Sequence, residues 1–285
     1  MYDQLTNWLY DHEKQATTIL TKMVESKAAR EAAIKSRQES KKARQSKNGG
    51  KLTLSSKLKP ASGRKPEEKE MYITEGDSAS NIKRDTRTQA IFPIRGKIKN
   101  AYKINLSEAL KNNEISTITA AIGAGIGPAF ELDDMQYHKI CIASDQDFDG
   151  NHIKILLISL FYKYFRPMID AGRLYVVESP LYRAVKYVNG KPQVKMYYSE
   201  HEIDKDRKNL EDYDIQRYKG LGEMNKDEAY DAITNRETRR LIRVNIEDAE
   251  EAAQAMKILM GDNSQLRKDW IEDYIDFDEL YELTL

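Results

Sequence analysis

One predicted strand and the acidic turn that follows it constrain the fold more than any other part of this sequence. The run KICIA at 139–143 is mostly apolar and β-branched, which is typical of a fully buried strand. It leads directly into DQDFDG at 145–150, and residues 153–169 are apolar at helical spacing. A second strand-like run follows at 174–177. A strand, a helix and a strand in this order predict a right-handed crossover in a parallel sheet.

A further acidic residue follows another predicted strand. MYIT at 71–74 has the pattern of a short buried strand, and it ends at Glu75. Functional groups of an open α/β sheet gather where its strands end at their carboxyl edges. We therefore expect Glu75 to lie near Asp145, Asp147 and Asp149. If the turn stays extended, alternation directs the three aspartates roughly the same way, so that several carboxylates converge.

Such a cluster is electrostatically unfavourable unless a cation is bound. The chain has one cysteine, Cys141, and no histidine or thiolate pattern of a metal site, so oxygen atoms must hold any metal. Carboxylate oxygens suit Mg²⁺, which takes one or two carboxylates and keeps water or phosphate in its other positions. The cluster therefore favours magnesium.

DQDFDG also allows two other interpretations. Its aspartates can cap the helix that follows, and the motif in isolation does not distinguish capping from metal binding. D-x-D-x-D-G opens like the calcium loop of an EF-hand as well. That loop needs a glutamate at its twelfth position, and counting from Asp145 this position is Leu156. The EF-hand is excluded, whereas the capping turn stays open.

The charges are unevenly distributed although 46 basic and 46 acidic residues give a net charge of zero. Residues 1–65 carry fifteen Lys and Arg against six Asp and Glu, whereas residues 246–285 carry three against twelve. Charge runs are usually solvated linkers and tails. The sharper hypothesis is a basic strap that lies near a polyanion, with the acidic end kept away from it.

Composition and pattern divide the chain into four parts. The Ala-, Lys-, Glu- and Gln-rich stretch from Leu5 to about Arg44 predicts one long helix. This helix has too little apolar surface to be a domain by itself, so it must lean on something else. The expected parts are a long basic helix at 1–47, a basic linker at 48–69, a metal-binding α/β domain at 70–180, and a smaller α+β subdomain with an acidic helical tail at 181–285.

Membrane insertion and secretion are not expected. No stretch reaches the roughly 18 to 20 uninterrupted apolar residues of a membrane span. The start of the chain lacks the apolar core of a signal peptide. We therefore expect a soluble protein of the cytoplasm, with no membrane partner.

Five separated motifs resemble the B subunits of type IIA DNA topoisomerases, that is bacterial gyrase and topoisomerase IV, and the matching region of eukaryotic topoisomerase II. The motifs are EGDSA at 75–79, PIRGKIKN at 93–100, SDQDFDGNHIK at 144–154, QRYKGLGEMN at 216–225 and LMGD at 259–262. The first and third alone would indicate only a Toprim fold, which primases and some nucleases share. The second and fourth narrow the resemblance to type IIA topoisomerases.

The resemblance implies a Toprim fold, a Rossmann-like parallel sheet flanked by helices, and it implies roles for eight residues. The implied catalytic and metal-binding residues are Glu75, Asp145 and Asp147, with Asp149 as a further metal ligand. The implied DNA-binding residues are Lys97, Asn100, Arg95 and Lys219. A lysine offers phosphate a point charge, whereas an arginine can donate two parallel hydrogen bonds.

The resemblance also implies partners and cofactors. In this family the nucleophile is a tyrosine on an A-type partner subunit, and the ATPase domain or subunit that binds ATP is absent from this chain. The expected enzyme is therefore an ATP-dependent hetero-oligomer acting on double-stranded DNA, with Mg²⁺ as cofactor and Mn²⁺ or Ca²⁺ able to replace it in binding. None of the seventeen tyrosines stands in a motif like that of the nucleophile. Tyr218 is expected to be structural and Cys141 to lie in the core. His152 is expected to pack or to form a hydrogen bond, with a DNA contact as the alternative.

The upstream part of the chain and one position of the third motif refine the resemblance. AAREAAIKSRQESKKAR at 28–44 resembles the basic helix that closes the transducer domain of these topoisomerases. Gln146 follows the eukaryotic form of its motif, while QRYKGLGEMN looks bacterial, and this mixture predicts a bacteriophage enzyme of the split type.

Two other functions stay open. A stand-alone Toprim nuclease or primase-like enzyme would be active by itself. A DNA-binding or assembly module whose acidic cluster has lost its metal would bind no divalent ion.

Overall fold

A computed structural model describes residues 2–45, 57–76, 82–218 and 220–275. Within them the strands are β1 (Glu70–Glu75), β2 (Gln89–Ile94), β3 (Lys139–Ala143), β4 (Leu174–Glu178), β5 (Tyr182–Val188), β6 (Lys191–Tyr197), β7 (Asp214–Arg217) and β8 (Arg240–Arg243). The α-helices are α1 (Tyr2–Asp11), α2 (Glu13–Gln45), α3 (Leu106–Lys111), α4 (Asn113–Ile122), α5 (Phe148–Tyr164), α6 (Arg166–Asp170), α7 (Glu200–Asp206), α8 (Lys226–Ala229), α9 (Ala249–Met260) and α10 (Ser264–Tyr274).

The main sheet has five strands in the order β2-β1-β3-β4-β8. The first four strands are parallel to their neighbours, and β8 pairs antiparallel with β4 at the edge. The predicted parallel α/β sheet is therefore confirmed, and the crossover between β3 and β4 runs through α5 and α6. Thr74 pairs with Ala143 in the register of β1 and β3, so the two strands end side by side.

Both faces of the sheet are covered. Alternation along β1 places Met71 and Ile73 in a large apolar cluster with α4 and α5, and it places Tyr72 in a second cluster on the other face. That second cluster is completed by residues far along the chain, among them Leu221 and Ile233. Burial on both faces explains why the central residues of β1, β2 and β3 are apolar.

The C-terminal part of the chain forms its own small sheet and also completes the main one. Strands β6-β5-β7 form an antiparallel sheet, against which α7 packs through Ile203. β8 lies at 240–243 but belongs to the main sheet. The expected boundary at 180 stays a prediction, and the main sheet takes one of its strands from beyond it.

The N-terminal helical region differs from the single long helix that the sequence predicts. α1 ends at Asp11 and α2 begins at Glu13, with a turn at His12. α2 leans on the main domain through buried Ala29 and Ala33. The predicted single helix is therefore divided in two at His12. The helix was also expected to pack on another part of the protein, and the main domain of this chain provides part of that contact.

Two other predicted helices are also divided. The amphipathic stretch 106–125 forms α3 and α4, because the side chain of Asn112 accepts a hydrogen bond from the backbone N–H of Ile115 and starts a new helix. α5 begins at Phe148, five residues earlier than the apolar pattern indicates, and ends before Phe165. Among the helices in the described parts of the chain, none is both long and apolar enough to cross a membrane.

Candidate metal centre

Glu75 and Asp145 are neighbours at the carboxyl edge of the main sheet. Glu75 is the last residue of β1, and Asp145 follows β3 by two residues. The backbone N–H of Asp145 donates to Oε2 of Glu75 at 3.4 Å. Burial, followed by the negative charge of Asp145, raises the pKa of Glu75. Burial is also the main reason why the pKa of Asp145 is raised. The edge thus holds two crowded carboxylates that a cation would stabilise.

Asp147 serves as the N-cap of α5. Its Oδ1 accepts a hydrogen bond from the backbone N–H of Gly150 at 2.7 Å. A Cβ on Gly150 would lie 2.2 Å from the backbone oxygen of Asp145, so only glycine permits this tight turn. The backbone is still extended at Asp147, but the helix begins at Phe148, so strand alternation does not reach Asp149. The capping role left open by the sequence is present at Asp147.

Asp149 lies in the first turn of α5 and forms an ion pair with Lys97. Lys97 Nζ donates to Asp149 Oδ1 at 2.7 Å, and this hydrogen bond lowers the pKa of Asp149. The two side chains are 43% and 70% exposed, so the pair is open to solvent. Lys97 reaches the site from the loop after β2, in which Gly96 has a φ of +71° that favours glycine. The structure therefore brings the second and third motifs together.

The other residues expected to contact DNA lie in different surroundings. Asn100 donates from Nδ2 to the backbone oxygen of Met260 at 2.9 Å and accepts at Oδ1 from Tyr102 N–H. A contact between Asn100 and DNA would require these two hydrogen bonds to be given up. Arg95 is exposed in the loop that carries Lys97. Lys219 lies outside the described residues.

The predictions for three further residues have different outcomes. Tyr218 is 5% exposed and Cys141 is fully buried, as expected for structural residues. His152 is exposed on α5, so it does not pack in the core, and the alternative of a DNA contact stays a prediction. The electrostatic influence of His152 adds to that of Lys97 in lowering the pKa of the Asp149 carboxyl.

The donor set fits a divalent ion, although it is not a preformed cage. Within the described ranges no three or more Asp, Glu, His or Cys side chains already converge as metal ligands. Mg²⁺ requires only one or two carboxylates and fills its other positions with water or phosphate. Glu75 and Asp145 would supply these oxygens, since they are neighbours at the sheet edge. Asp147 would have to leave its capping hydrogen bond to join them.

Sequence reasoning missed a contact that reaches the site from a distant part of the chain. The backbone N–H of Leu221 donates to Oδ1 of Asp145 at 2.7 Å. Gly220 lies so close that a Cβ there would be 2.6 Å from Asp145 Oδ2. The only signal was Gly220, the first of the two glycines in QRYKGLGEMN, because a glycine can mark a close approach but does not identify the approaching group.

An exposed aromatic side chain beside the aspartates was also missed. Phe148 is 85% exposed in the first turn of α5, directly between Asp147 and Asp149. Its neighbour Gln146 is anchored instead, since its Nε2 donates to the backbone oxygen of Ser179 at 2.8 Å.

Comparison with known proteins places both parts of this site in described families. Residues 70–179 match the family model described as the Toprim domain, and residues 210–272 match the one described as the DNA gyrase B subunit, carboxyl terminus. The first match contains Glu75 and the aspartates, and the second contains Gly220.

Several curated proteins, each named as the B subunit of DNA topoisomerase 4, are similar to nearly the whole chain. Those of Bacillus subtilis (strain 168), Enterococcus faecalis and Streptococcus pneumoniae serotype 4 are 41%, 41% and 42% identical to it, each over 96% of its length. The alignments cover 42%, 41% and 43% of those proteins. This chain therefore spans about two-fifths of the length of the curated relatives it matches.

Proposed function

We propose that this chain, which matches the Toprim domain over residues 70–179 and is similar to B subunits of DNA topoisomerase 4, is the metal-binding part of an ATP-dependent type IIA DNA topoisomerase. It would assist the cleavage and religation of double-stranded DNA by a tyrosine on a partner subunit. The observation that carries this proposal is the pair of crowded carboxylates, Glu75 and Asp145, at the carboxyl edge of the Toprim sheet. A bound Mg²⁺ would offset their repulsion and neutralise charge on a DNA phosphate.

Each charged residue at the edge would have a definite task. Glu75 and Asp145 hold the ion, and Asp147 can add a third oxygen when it leaves the helix cap. Lys97 supplies a point charge for a phosphate oxygen. In the present geometry its ammonium is paired with Asp149, and because that pair is exposed, a phosphate can replace the carboxylate at small cost. Arg95, Asn100 and Lys219 stay proposed DNA contacts of lower weight.

The nucleophile and the ATPase are assigned to other parts of the enzyme. Tyr218 is unsuited to attack phosphate, since its hydroxyl oxygen is buried and burial raises its pKa well above the ordinary value. An A-type subunit would bring the tyrosine, and an ATPase domain or subunit would bring ATP, so the working unit is a hetero-oligomer. Bacteriophage origin and cytoplasmic location stay predictions.

The test is magnesium-dependent DNA cleavage by the reconstituted enzyme, with a tyrosine-bearing partner and an ATPase part added. Glu75→Gln and Asp145→Asn should each abolish cleavage and Mg²⁺ or Mn²⁺ binding without lowering the melting temperature. Asp133→Asn is a matched control, because Asp133 is an exposed carboxylate outside the site. Unchanged cleavage by the two site variants would refute the proposal. Cleavage by the chain alone would instead favour a stand-alone nuclease.

A further inference from the structure

The Asp145 carboxylate accepts a hydrogen bond from a peptide group in residues 210–272, the region that matches the carboxyl terminus of the DNA gyrase B subunit. The Gly220–Leu221 peptide lies against the carboxylate, and its N–H, that of Leu221, donates to Oδ1 at 2.7 Å. Gly220 has a φ of −174°, which is extended backbone that any residue adopts. The absence of a side chain there is therefore not required by backbone conformation. It is required by space, because a Cβ would lie 2.6 Å from Asp145 Oδ2 and 3.0 Å from Cγ.

The Gly220–Leu221 peptide is fixed from both sides. On one side Tyr218 is buried and its backbone N–H donates to the backbone oxygen of Leu181 at 2.9 Å. On the other side the Leu221 side chain is buried in the same cluster as Tyr72 and Cys141. The peptide is thus attached to the sheet that carries the site, and it cannot follow a moving carboxylate at no cost.

A capping box at the start of α8 holds the same segment further along the chain. The side chain of Asn225 accepts hydrogen bonds from the backbone at the start of α8, and the backbone N–H of Asn225 donates to Oε2 of Glu228 at 3.0 Å. Glu228 is itself buried and paired with Arg183 of β5. The segment is therefore tied to the small sheet as well.

The two other aspartates of the site are held by a backbone group close in sequence or by an exposed ion pair. Asp147 accepts from the backbone three residues ahead, and Asp149 pairs with a solvent-exposed lysine. Asp145 differs because its hydrogen-bond donor lies 76 residues away. Backbone donors of this kind orient a ligand and keep it in one rotamer, as outer-shell partners of metal ligands do.

We propose that the Gly220–Leu221 peptide positions the Asp145 carboxylate for metal binding, and that Gly220 is a positioning residue whose missing side chain makes room for that carboxylate. This proposal rests on the proposed function, since it takes Asp145 to be a metal ligand. It assigns to the gyrase-B-like part of the chain a share in the Toprim metal site.

The first measurement is Mn²⁺ binding to the complete chain by isothermal titration calorimetry, in the absence of DNA. Gly220→Ala should raise the dissociation constant at least about 10-fold, in the range typical for the loss of an outer-shell partner. Gly222→Ala is the matched control, because Gly222 lies in the same motif, is exposed and lacks a positive φ. It should bind Mn²⁺ as the unmodified chain does. Equal binding by the Gly220→Ala and Gly222→Ala variants would overturn the proposal.

The second measurement is a double-mutant cycle on the melting temperature without metal, so that it is independent of the proposed function. Gly220→Ala should lower the melting temperature of the unmodified chain, because the new Cβ collides with the Asp145 carboxylate. In the Asp145→Ala background the collision is gone, and the same substitution should raise the melting temperature by reducing the freedom of the unfolded chain. Equal shifts in both backgrounds would show that the contact does not exist.

The two measurements distinguish a failure of the metal premise from a failure of the positioning role. If the unmodified chain binds no Mn²⁺, the metal premise fails and the positioning role fails with it, whatever the cycle gives. If Mn²⁺ binds and the cycle is additive, the function stands and the positioning role is overturned.

Discussion

Replacing Arg239 with alanine should destabilise the chain strongly, because it breaks a buried ion pair at the start of β1. The carboxylate of Glu70 is 5% exposed and the Arg239 side chain 6% exposed. Arg239 Nη1 donates to Glu70 Oε2 and Nη2 donates to Oε1 at 3.2 Å. Tyr72 adds a hydrogen bond from its hydroxyl to Oε2 at 2.6 Å. Truncation of Arg239 would leave a buried carboxylate with much of its compensation gone.

The size of the effect follows from the geometry. Removing one partner of a buried ion pair costs about 3–5 kcal/mol. The lower end applies here, because Arg236 Nε remains 2.8 Å from Glu70 Oε1 after the substitution. An unfolding entropy of about 2.1 cal/mol/K per residue gives about 0.6 kcal/mol/K for a chain of this length. A loss of about 3 kcal/mol therefore lowers the melting temperature by about 5 °C.

Differential scanning calorimetry at neutral pH measures this shift. Arg236→Ala is the matched control, since Arg236 contacts the same carboxylate but its side chain is 48% exposed. Its loss should cost about 1 kcal/mol or less, and lower the melting temperature by less than about 2 °C. The reasoning is refuted if Arg239→Ala shifts the melting temperature no more than Arg236→Ala does.

Three further predictions concern the metal centre and the N-terminal helix. Asp147→Asn should weaken Mn²⁺ binding yet keep the melting temperature, because asparagine caps a helix as well as aspartate does. Asp147→Ala should lose both Mn²⁺ affinity and about 1 kcal/mol of stability. Calorimetry measures the affinities and thermal melts the stabilities, and equal melting temperatures of the two variants would contradict the capping role. Burial raises the pKa of Asp145 and Glu75 above their usual values of 3.8 and 4.5, so in the metal-free chain ionising them costs stability. That stability is present below the usual values and is lost as pH rises through the raised ones. The gain in melting temperature from Asp145→Asn should therefore grow as pH rises above 3.8, the usual value for Asp145, and a gain that does not change with pH would contradict this. Arg37→Ala removes an ion pair in which Nη2 lies 2.7 Å from Asp134 Oδ2, and amide hydrogen exchange around residues 29–37 of α2 should accelerate, whereas unchanged exchange would show that the pair does not hold the helix.

The main sheet could be predicted because its strands are buried on both faces. KICIA coincides with β3 residue by residue, since its last four residues are buried and only Lys139 is partly exposed. β8 was missed for the opposite reason. Its sequence, RLIR, has charged ends that suit an exposed edge, and two apolar residues are too few to distinguish a strand from a loop.

The acidic residues of the candidate site could be predicted from the sequence, but the hydrogen bonds that orient their carboxylates could not. Glu75 and Asp145 meet because parallel strands end at one edge, which follows from strand order alone. The turn of Asp147 into a helix cap depends on where α5 begins, and local patterns locate helix starts poorly. The hydrogen bond from Leu221 to Asp145 uses a backbone N–H, which every residue except proline carries, so no side-chain pattern announces it.

Pairing of β8 with β4 has a consequence for how this chain can be made and divided. β8, the strand that pairs with β4, begins more than sixty residues after β4 ends, so the main sheet is completed only after residues 240–243 have been synthesised. A fragment that stops at residue 180 would expose an open strand edge at β4. It would also expose the face of the sheet around Tyr72 and Val177, which the later residues cover. An unpaired edge beside an apolar surface invites association with another chain. Such a fragment is expected to aggregate during expression, although it contains every residue assigned to the metal.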